Sequence, residues 1–182
     1  MINPNRWIIF AFFLVLCSPR LFGQTETKRI LIESAKLERP IVINDPGITH
    51  RFCVFSGPQM GDDSKPLFAE TTGDRETFIA WSKGVISARP DQLPRYMVYF
   101  YADRPCDHII FGLSYERDPA GQIGYFYLPG KGEPLYWLNS STNLVFVEGN
   151  WFQSTAAWEK LIGPLIEKAL LAEQNRVGST NL

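Results

Sequence analysis

Four carboxylates, Glu116, Asp118, Glu133 and Glu148, fall at predicted strand ends and turns. Two carboxyl groups facing each other across a cleft suit hydrolysis of a glycosidic bond, one as acid and the other as base or nucleophile. Glu116 and Glu148 are one pair that could do this. No spacing rule singles them out, and acids at turns are more often solvated or bonded to nearby backbone amides. Metal ligation has less to draw on. Cys106, Asp107 and His108 are adjacent. Neighbours on a strand face opposite ways, so only Cys106 and His108 would share a face, short of the usual three or four ligands. His50 stands alone. No Gly-x-Ser-x-Gly elbow occurs, and neither Cys53 nor Cys106 sits in a nucleophile signature. Pro129-Gly130-Lys131-Gly132 lacks the frame of a phosphate loop and reads as a turn. No metal or cofactor is expected.

Aromatic side chains are the remaining resource. They make up 14% of the chain. Tyr136, Trp137, Trp151, Phe152 and Trp158 come late in the sequence. Such rings fill cores, and they also stack sugars or anchor protein contacts. Phe126, Tyr136 and Trp151 are the candidates for an exposed binding patch.

The elements that would position these residues are mostly strands. With 14 Gly and 13 Pro in 182 residues, turns are frequent. Residues 96–102 are apolar on both faces, which predicts a central strand beside the one at 109–116. Residues 109–138 read as a three-stranded meander, with strands at 109–116, 122–128 and 134–138. If its turns close about Pro119 and Lys131, Leu113 lies opposite Tyr125 and Phe111 opposite Tyr127. The odd face then collects Phe111, Leu113, Tyr115, Ile123, Tyr125, Tyr127, Leu135 and Trp137 as a core layer. Further strands are predicted near 29–34, 40–44, 77–82 and 144–147. Asp45-Pro46 signals a helix cap followed by proline at the first helical position. Residues 56–65 read as the longest loop. Trp158, Leu161, Ile162, Leu165, Ile166, Ala169 and Leu170 form a helical stripe, capped by Ser154 or Thr155 and kinked or divided at Pro164.

The ends of the chain bear on its location. Residues 7–17 are an uninterrupted apolar run following Arg6, the pattern of a secretory signal peptide. Eleven residues are too few to span a bilayer, which needs about 20. Residues 1–23 are read as that signal, 24–172 as one exported domain and 173–182 as a flexible tail. Without residues 1–23 the 18 basic residues lose Arg6 and Arg20 and the 19 acidic ones lose none, leaving a net charge of −3. That balance gives nucleic-acid binding no electrostatic support. No integral span is expected after cleavage. In an exported chain Cys53 and Cys106 are a candidate disulfide, or two buried thiols.

Residues 125–132, Tyr-Phe-Tyr-Leu-Pro-Gly-Lys-Gly, with Glu148-Gly149-Asn150-Trp151-Phe152 and the helix at Trp158-Glu159, resemble a group of uncharacterised small exported bacterial proteins. The resemblance runs over residues 40–166 and implies a periplasmic or extracellular setting. It carries no activity and no functional residue. The fold expected is α+β: an antiparallel sheet of about six to eight strands, sandwich-like or partly closed, packed by a C-terminal helix. The function expected is a non-catalytic module binding a protein or glycan partner. The alternative is a secreted hydrolase using paired carboxylates.

Overall fold

The computed structural model describes residues 26–52, 54, 58–60, 66–68, 76–102, 108–120, 122–139 and 147–180. The expected signal segment 1–23, Cys53, Cys106 and the strand expected at 144–147 lie wholly or mainly outside these residues.

The fold is α+β. Strands β1 (Thr27–Glu33), β2 (Ile41–Ile43), β5 (Arg95–Ala102), β6 (Ile109–Asp118), β7 (Ile123–Leu128) and β8 (Asn150–Gln153) form one antiparallel sheet. Its order is β2-β1-β5-β6-β7-β8. A separate hairpin pairs β3 (Pro58–Met60) with β4 (Pro66–Phe68), where the sequence suggested only a loop. Helix α1 (Pro46–Thr49) is the predicted single turn, with the Asp45 carboxylate accepting from the Gly47 amide at 2.8 Å. Helix α2 (Tyr136–Asn139) is also one turn, and α3 (Ala156–Thr180) covers one face of the sheet.

The inner face is built by alternation. Tyr96, Val98 and Phe100 of β5 are buried, as are Phe111, Leu113 and Tyr115 of β6. Cross-strand register sets them in rows: Ile30, Phe100 and Phe111 in one, and Tyr96, Tyr115, Phe126 and Phe152 in another. Trp158 of α3 sits over these rows. Its ring lies 5.1 Å from Phe52, 5.2 Å from Phe126 and 5.8 Å from Tyr115. Ile162 and Ile166 continue the stripe, both buried. Removing a large side chain from such a position costs about 3–5 kcal/mol.

Three expectations are corrected here. The first is the register of the meander. Asp118 pairs with Ile123, so four residues connect β6 to β7, and Tyr115 faces Phe126 while Glu116 faces Tyr125. An even-numbered connection joins odd positions of one strand to even positions of the next. The Asp118 carboxylate accepts from the Ala120 amide at 2.9 Å, and Gln122 takes φ 50°, so the turn closes beyond Pro119. Gly124, Phe126 and Leu128 therefore face the core, and Tyr125 and Tyr127 face outward. The second is the third strand. Residues 136–139 form α2, Trp137 is 77% exposed, and β8 takes the place beside β7. The third is the C-terminal helix. It runs as one element through Pro164 and extends to Thr180, well into the expected tail. Pro164 lies on its exposed side.

Residues 79–86 complete the edge at β8. Ile79 bridges Ser154, the Ala80 amide donates to the Gln153 carbonyl at 2.8 Å, and the Ile86 amide donates to the Trp151 carbonyl at 2.8 Å. These bonds make the segment a strap along β8. The strand expected at 77–82 is replaced by isolated bridges and a 3-10 turn at Trp81–Lys83.

Candidate functional site

Two polar assemblies stand out, one on each face of the sheet. The inner one is sealed. The first turn of α3 is capped by Thr155, whose hydroxyl accepts from the Trp158 amide at 3.2 Å. This places Glu159 against the sheet, where its carboxylate accepts from the Tyr115 hydroxyl at 2.6 Å, the Ser154 hydroxyl at 2.5 Å and Arg117 Nε at 3.1 Å. Arg117 Nη1 reaches Glu167 on the same helix at 2.9 Å. The Ser154 hydroxyl also accepts from the Gly124 amide at 3.0 Å. Burial, and then the adjoining Glu159 charge, push the Tyr115 pKa far above its ordinary value. Burial by itself would lower the pKa of Arg117, but the hydrogen bonds it donates to Glu167 and Glu159 outweigh it and hold the pKa above normal.

Small residues make this cluster possible. A Cβ on Gly124 would lie 2.3 Å from Tyr115 Cε2 and 2.5 Å from Glu159 Oε1. A Cβ on Gly163 would lie 2.7 Å from Arg117 Nη2. Tyr115, Arg117, Ser154 and Glu159 are all buried, so the cluster ties helix to sheet and offers nothing to a ligand.

The outer assembly is open. A groove of about 460 Å³ crosses the outward face of β5–β8, lined by Arg89, Arg95, Met97, Ser114, Tyr127, Pro129, Glu133, Pro134, Leu135 and Trp151. Strand alternation puts Arg95 and Met97, Ser114 and Glu116, Tyr127, and Trp151 on this face. Glu116 is only 2% exposed. Arg95 Nε and Nη2 meet its Oε1 at 2.8 and 2.7 Å, and Arg89 Nη1 lies 2.6 Å from its Oε2. Two guanidiniums on one carboxylate leave a net charge of +1 there. The Arg89 guanidinium also lies over the Trp151 ring, 4.0 Å from its centroid. Trp151 in turn packs on its cross-strand partner Tyr127, with centroids 5.0 Å apart.

The opposite wall is the connection from β7 to α2. Residues 130–133 form the predicted glycine turn, with the Glu133 amide bonded to the Gly130 carbonyl at 3.0 Å and Gly132 at φ 90°. Only glycine takes that φ without a steric penalty. The Glu133 carboxylate folds back, accepting from the Gly130 amide at 2.6 Å and the Tyr127 hydroxyl at 2.8 Å. Burial and this hydrogen bond raise the pKa of Tyr127. Beyond the turn, Leu135 holds φ 69°, unusual for a branched side chain. Leu135 and Leu138 then rest over Gly112, where a Cβ would meet Leu135 at 3.1 Å. Asn139 ends the segment with a substitution of roles. Its Oδ1 accepts from the Gly112 amide at 2.9 Å and its Nδ2 donates to the Gly112 carbonyl at 2.6 Å. Strand β7 stops short of Gly112, and the Asn139 side chain supplies the bonds a strand would make there.

Of the three aromatic candidates, Trp151 lines the groove. Phe126 is fully buried in the core and does not belong to any surface patch. The four-residue turn moved it inward and turned Tyr127 outward in its place. Tyr136 is half-buried beside Trp137, one residue past Leu135, and is not among the lining residues. Glu116 and Glu148 are not assembled as a pair. Glu116 faces Tyr125, and Glu148 lies beyond Leu128, two strands away and more than three residues along. Strand spacing puts their backbones about 14 Å apart or more. Burial raises the pKa of Glu148. His50 and His108 are exposed, and among the described residues no three His, Cys, Asp or Glu side chains gather.

Sequence reasoning passed over Arg89, Arg95, Tyr127 and Glu133 as groove residues. Arg89 and Arg95 flank a proline-rich connection and read as linker. The signal that finds them is the cross-strand pair Arg95–Glu116, an opposite-charge pair that depends on knowing the register. Among the described residues no helix is long and apolar enough to cross a membrane. Comparison with protein-family models, with curated proteins and with solved structures finds no match.

Proposed function

We propose that this protein is a non-catalytic exported module that binds a glycan or protein partner in the outer groove. The observation that carries the proposal is the assembly of Arg89, Trp151 and Tyr127 into one packed wall beside the exposed Arg95 guanidinium, whose side chain is 61% exposed. Aromatic and guanidinium groups held rigidly in a concave site are the usual anchors of recognition surfaces. Their rotamers are fixed before a ligand arrives, which lowers the entropic cost of binding. The apolar run at residues 7–17 supports the exported setting.

The hydrolase alternative draws less support. Both oxygens of Glu116 are engaged by arginines, and Glu148 stands on a different strand connection. An acid and a base acting on one bond need a common cleft.

A photo-crosslinking residue tests the site directly. Placed at Pro134, on the groove wall, it should yield a defined adduct in cells that express the protein. Placed at Lys168, exposed on α3, it should not. Equal labelling at both positions, or none at Pro134, would refute the groove as the binding site.

A further inference from the structure

We infer that the ligand of this groove is a carboxylated sugar, a uronate-type pyranose whose carboxylate docks on Arg95. The inference rests on the groove being the binding site and goes further by naming the chemistry it selects.

Charge is the first ground. The groove is neutral overall but its charges are separated. Arg95 and Arg89 share one carboxylate at one end, with a net charge of +1, and Glu133 stands on the wall opposite. A guanidinium has five N–H donors. Arg95 directs Nε and Nη2 at Glu116, and among the described residues its Nη1 has no partner. A planar fork with one edge taken and one edge open suits a carboxylate in plane with it. The fixed Glu116 beneath keeps the fork from rotating away.

The second ground separates sugar from peptide. Peptides that dock on sheets commonly pair with an open strand edge, through main-chain hydrogen bonds. This groove crosses the face of the sheet. The backbone groups of β6 and β7 beneath it are spent on neighbouring strands. Only side chains are offered: guanidinium, the Ser114 hydroxyl, a carboxylate and the aromatic wall. A sugar brings its own hydroxyls to the polar groups and its C–H face to the rings. The orientation follows, with the sugar carboxylate at Arg95 and ring hydroxyls toward Glu133.

Calorimetric titration of the purified protein with trigalacturonate, maltotriose and triglutamate tests this. Trigalacturonate should bind with an affinity that falls as salt rises, maltotriose at least tenfold more weakly because it lacks the carboxylate, and triglutamate at least tenfold more weakly because it lacks the sugar ring and finds no open strand edge. Arg95→Gln should weaken trigalacturonate about tenfold or more at a temperature where circular dichroism shows the variant folded, although losing one partner of the buried Glu116 lowers its melt, and Arg95→Lys, which keeps a cation beside Glu116, should recover part of both losses. Equal binding of maltotriose, insensitive to Arg95→Gln but lost in Trp151→Ala, would overturn the carboxylate and leave the groove as the site. Equal binding of triglutamate would overturn the sugar in favour of an acidic peptide. If none of the three binds while the Pro134 crosslink persists, the inference is wrong and the groove stands. If both fail, the site itself is wrong.

Discussion

Replacing Glu159 by Ala should be among the most destabilising substitutions available in this chain. The carboxylate accepts from Tyr115, Ser154 and Arg117, and all four residues are buried. Truncation leaves two hydroxyls without their acceptor. It also leaves Arg117, only 6% exposed at its side chain, with Glu167 as its remaining partner. Removing one member of a buried ion pair costs about 3–5 kcal/mol, because the other charge stays desolvated. Ser154 retains its bond from the Gly124 amide and Arg117 retains Glu167, which places the loss near the middle of that range, about 4 kcal/mol. For a chain of this size that corresponds to a fall in melting temperature of about 8–16 °C. Urea unfolding followed by circular dichroism measures the same quantity. The reasoning makes a second demand. If the cost is an orphaned charge rather than lost attraction, then Glu159→Leu combined with Arg117→Met should be more stable than Glu159→Leu alone. A loss below about 1 kcal/mol for Glu159→Ala, or a double variant no better than the single one, would refute it.

The same cluster contributes to stability at alkaline pH. The folded-state pKa of Tyr115 is raised, so the stability it contributes is complete below the unfolded value of 10.0 and is lost as pH climbs above it. Ultraviolet titration of the folded protein should leave several of its 7 tyrosines un-ionised at a pH where the unfolded chain ionises all of them, and Tyr115→Phe should remove one of the late ones. Gly124→Ala should cost about 1–3 kcal/mol or more by driving Tyr115 off Glu159, measured as a loss of urea stability. Gly132→Ala, with nothing within 4 Å of the added carbon, should cost only the backbone strain, about 1–2 kcal/mol. Asn139→Ala should leave both backbone groups of Gly112 unpaired on that side, costing about 2–3 kcal/mol, and hydrogen exchange at the Gly112 amide should accelerate.

Much of the fold was legible because it rests on local pattern. The apolar strand at 96–102, the Asp45 cap and the stripe through Trp158, Ile162 and Ile166 are all where periodicity puts them. The meander was misread at a single point. Placing the first turn at Pro119 ignored that the Asp118 side chain and a left-handed Gln122 can move its centre further along the chain. The register moved by three residues, an odd number, which exchanged the two faces of β7, so Phe126 and Tyr127 traded places. The strand expected at 134–138 failed for a different reason. A strand there needs a partner beside β7, and residues 150–153 occupy that position from a distance no local pattern reveals. The site inherited both errors. Trp151 was chosen for its type and lies in the groove, whereas Arg95 and Glu116 acquire meaning only once their strands are paired.

The strap along β8 has a consequence for how the groove responds to occupancy. Arg89 is carried on a connection rather than on a strand, yet two backbone bonds from residues 80 and 86 anchor that connection just upstream of it. The wall bearing Arg89 and Trp151 is therefore stiff. The facing wall is pinned to β6 at its far end by Asn139 and Leu138, and its near part, residues 130–134, is held by one glycine turn and the exposed Glu133 latch. Compliance in the site is one-sided. On the proposed function, a ligand too wide for the groove would meet a fixed jaw of aromatic and arginine groups and displace the loop at 130–134. In that arrangement the specificity would reside in the jaw and the tolerance for size in the loop.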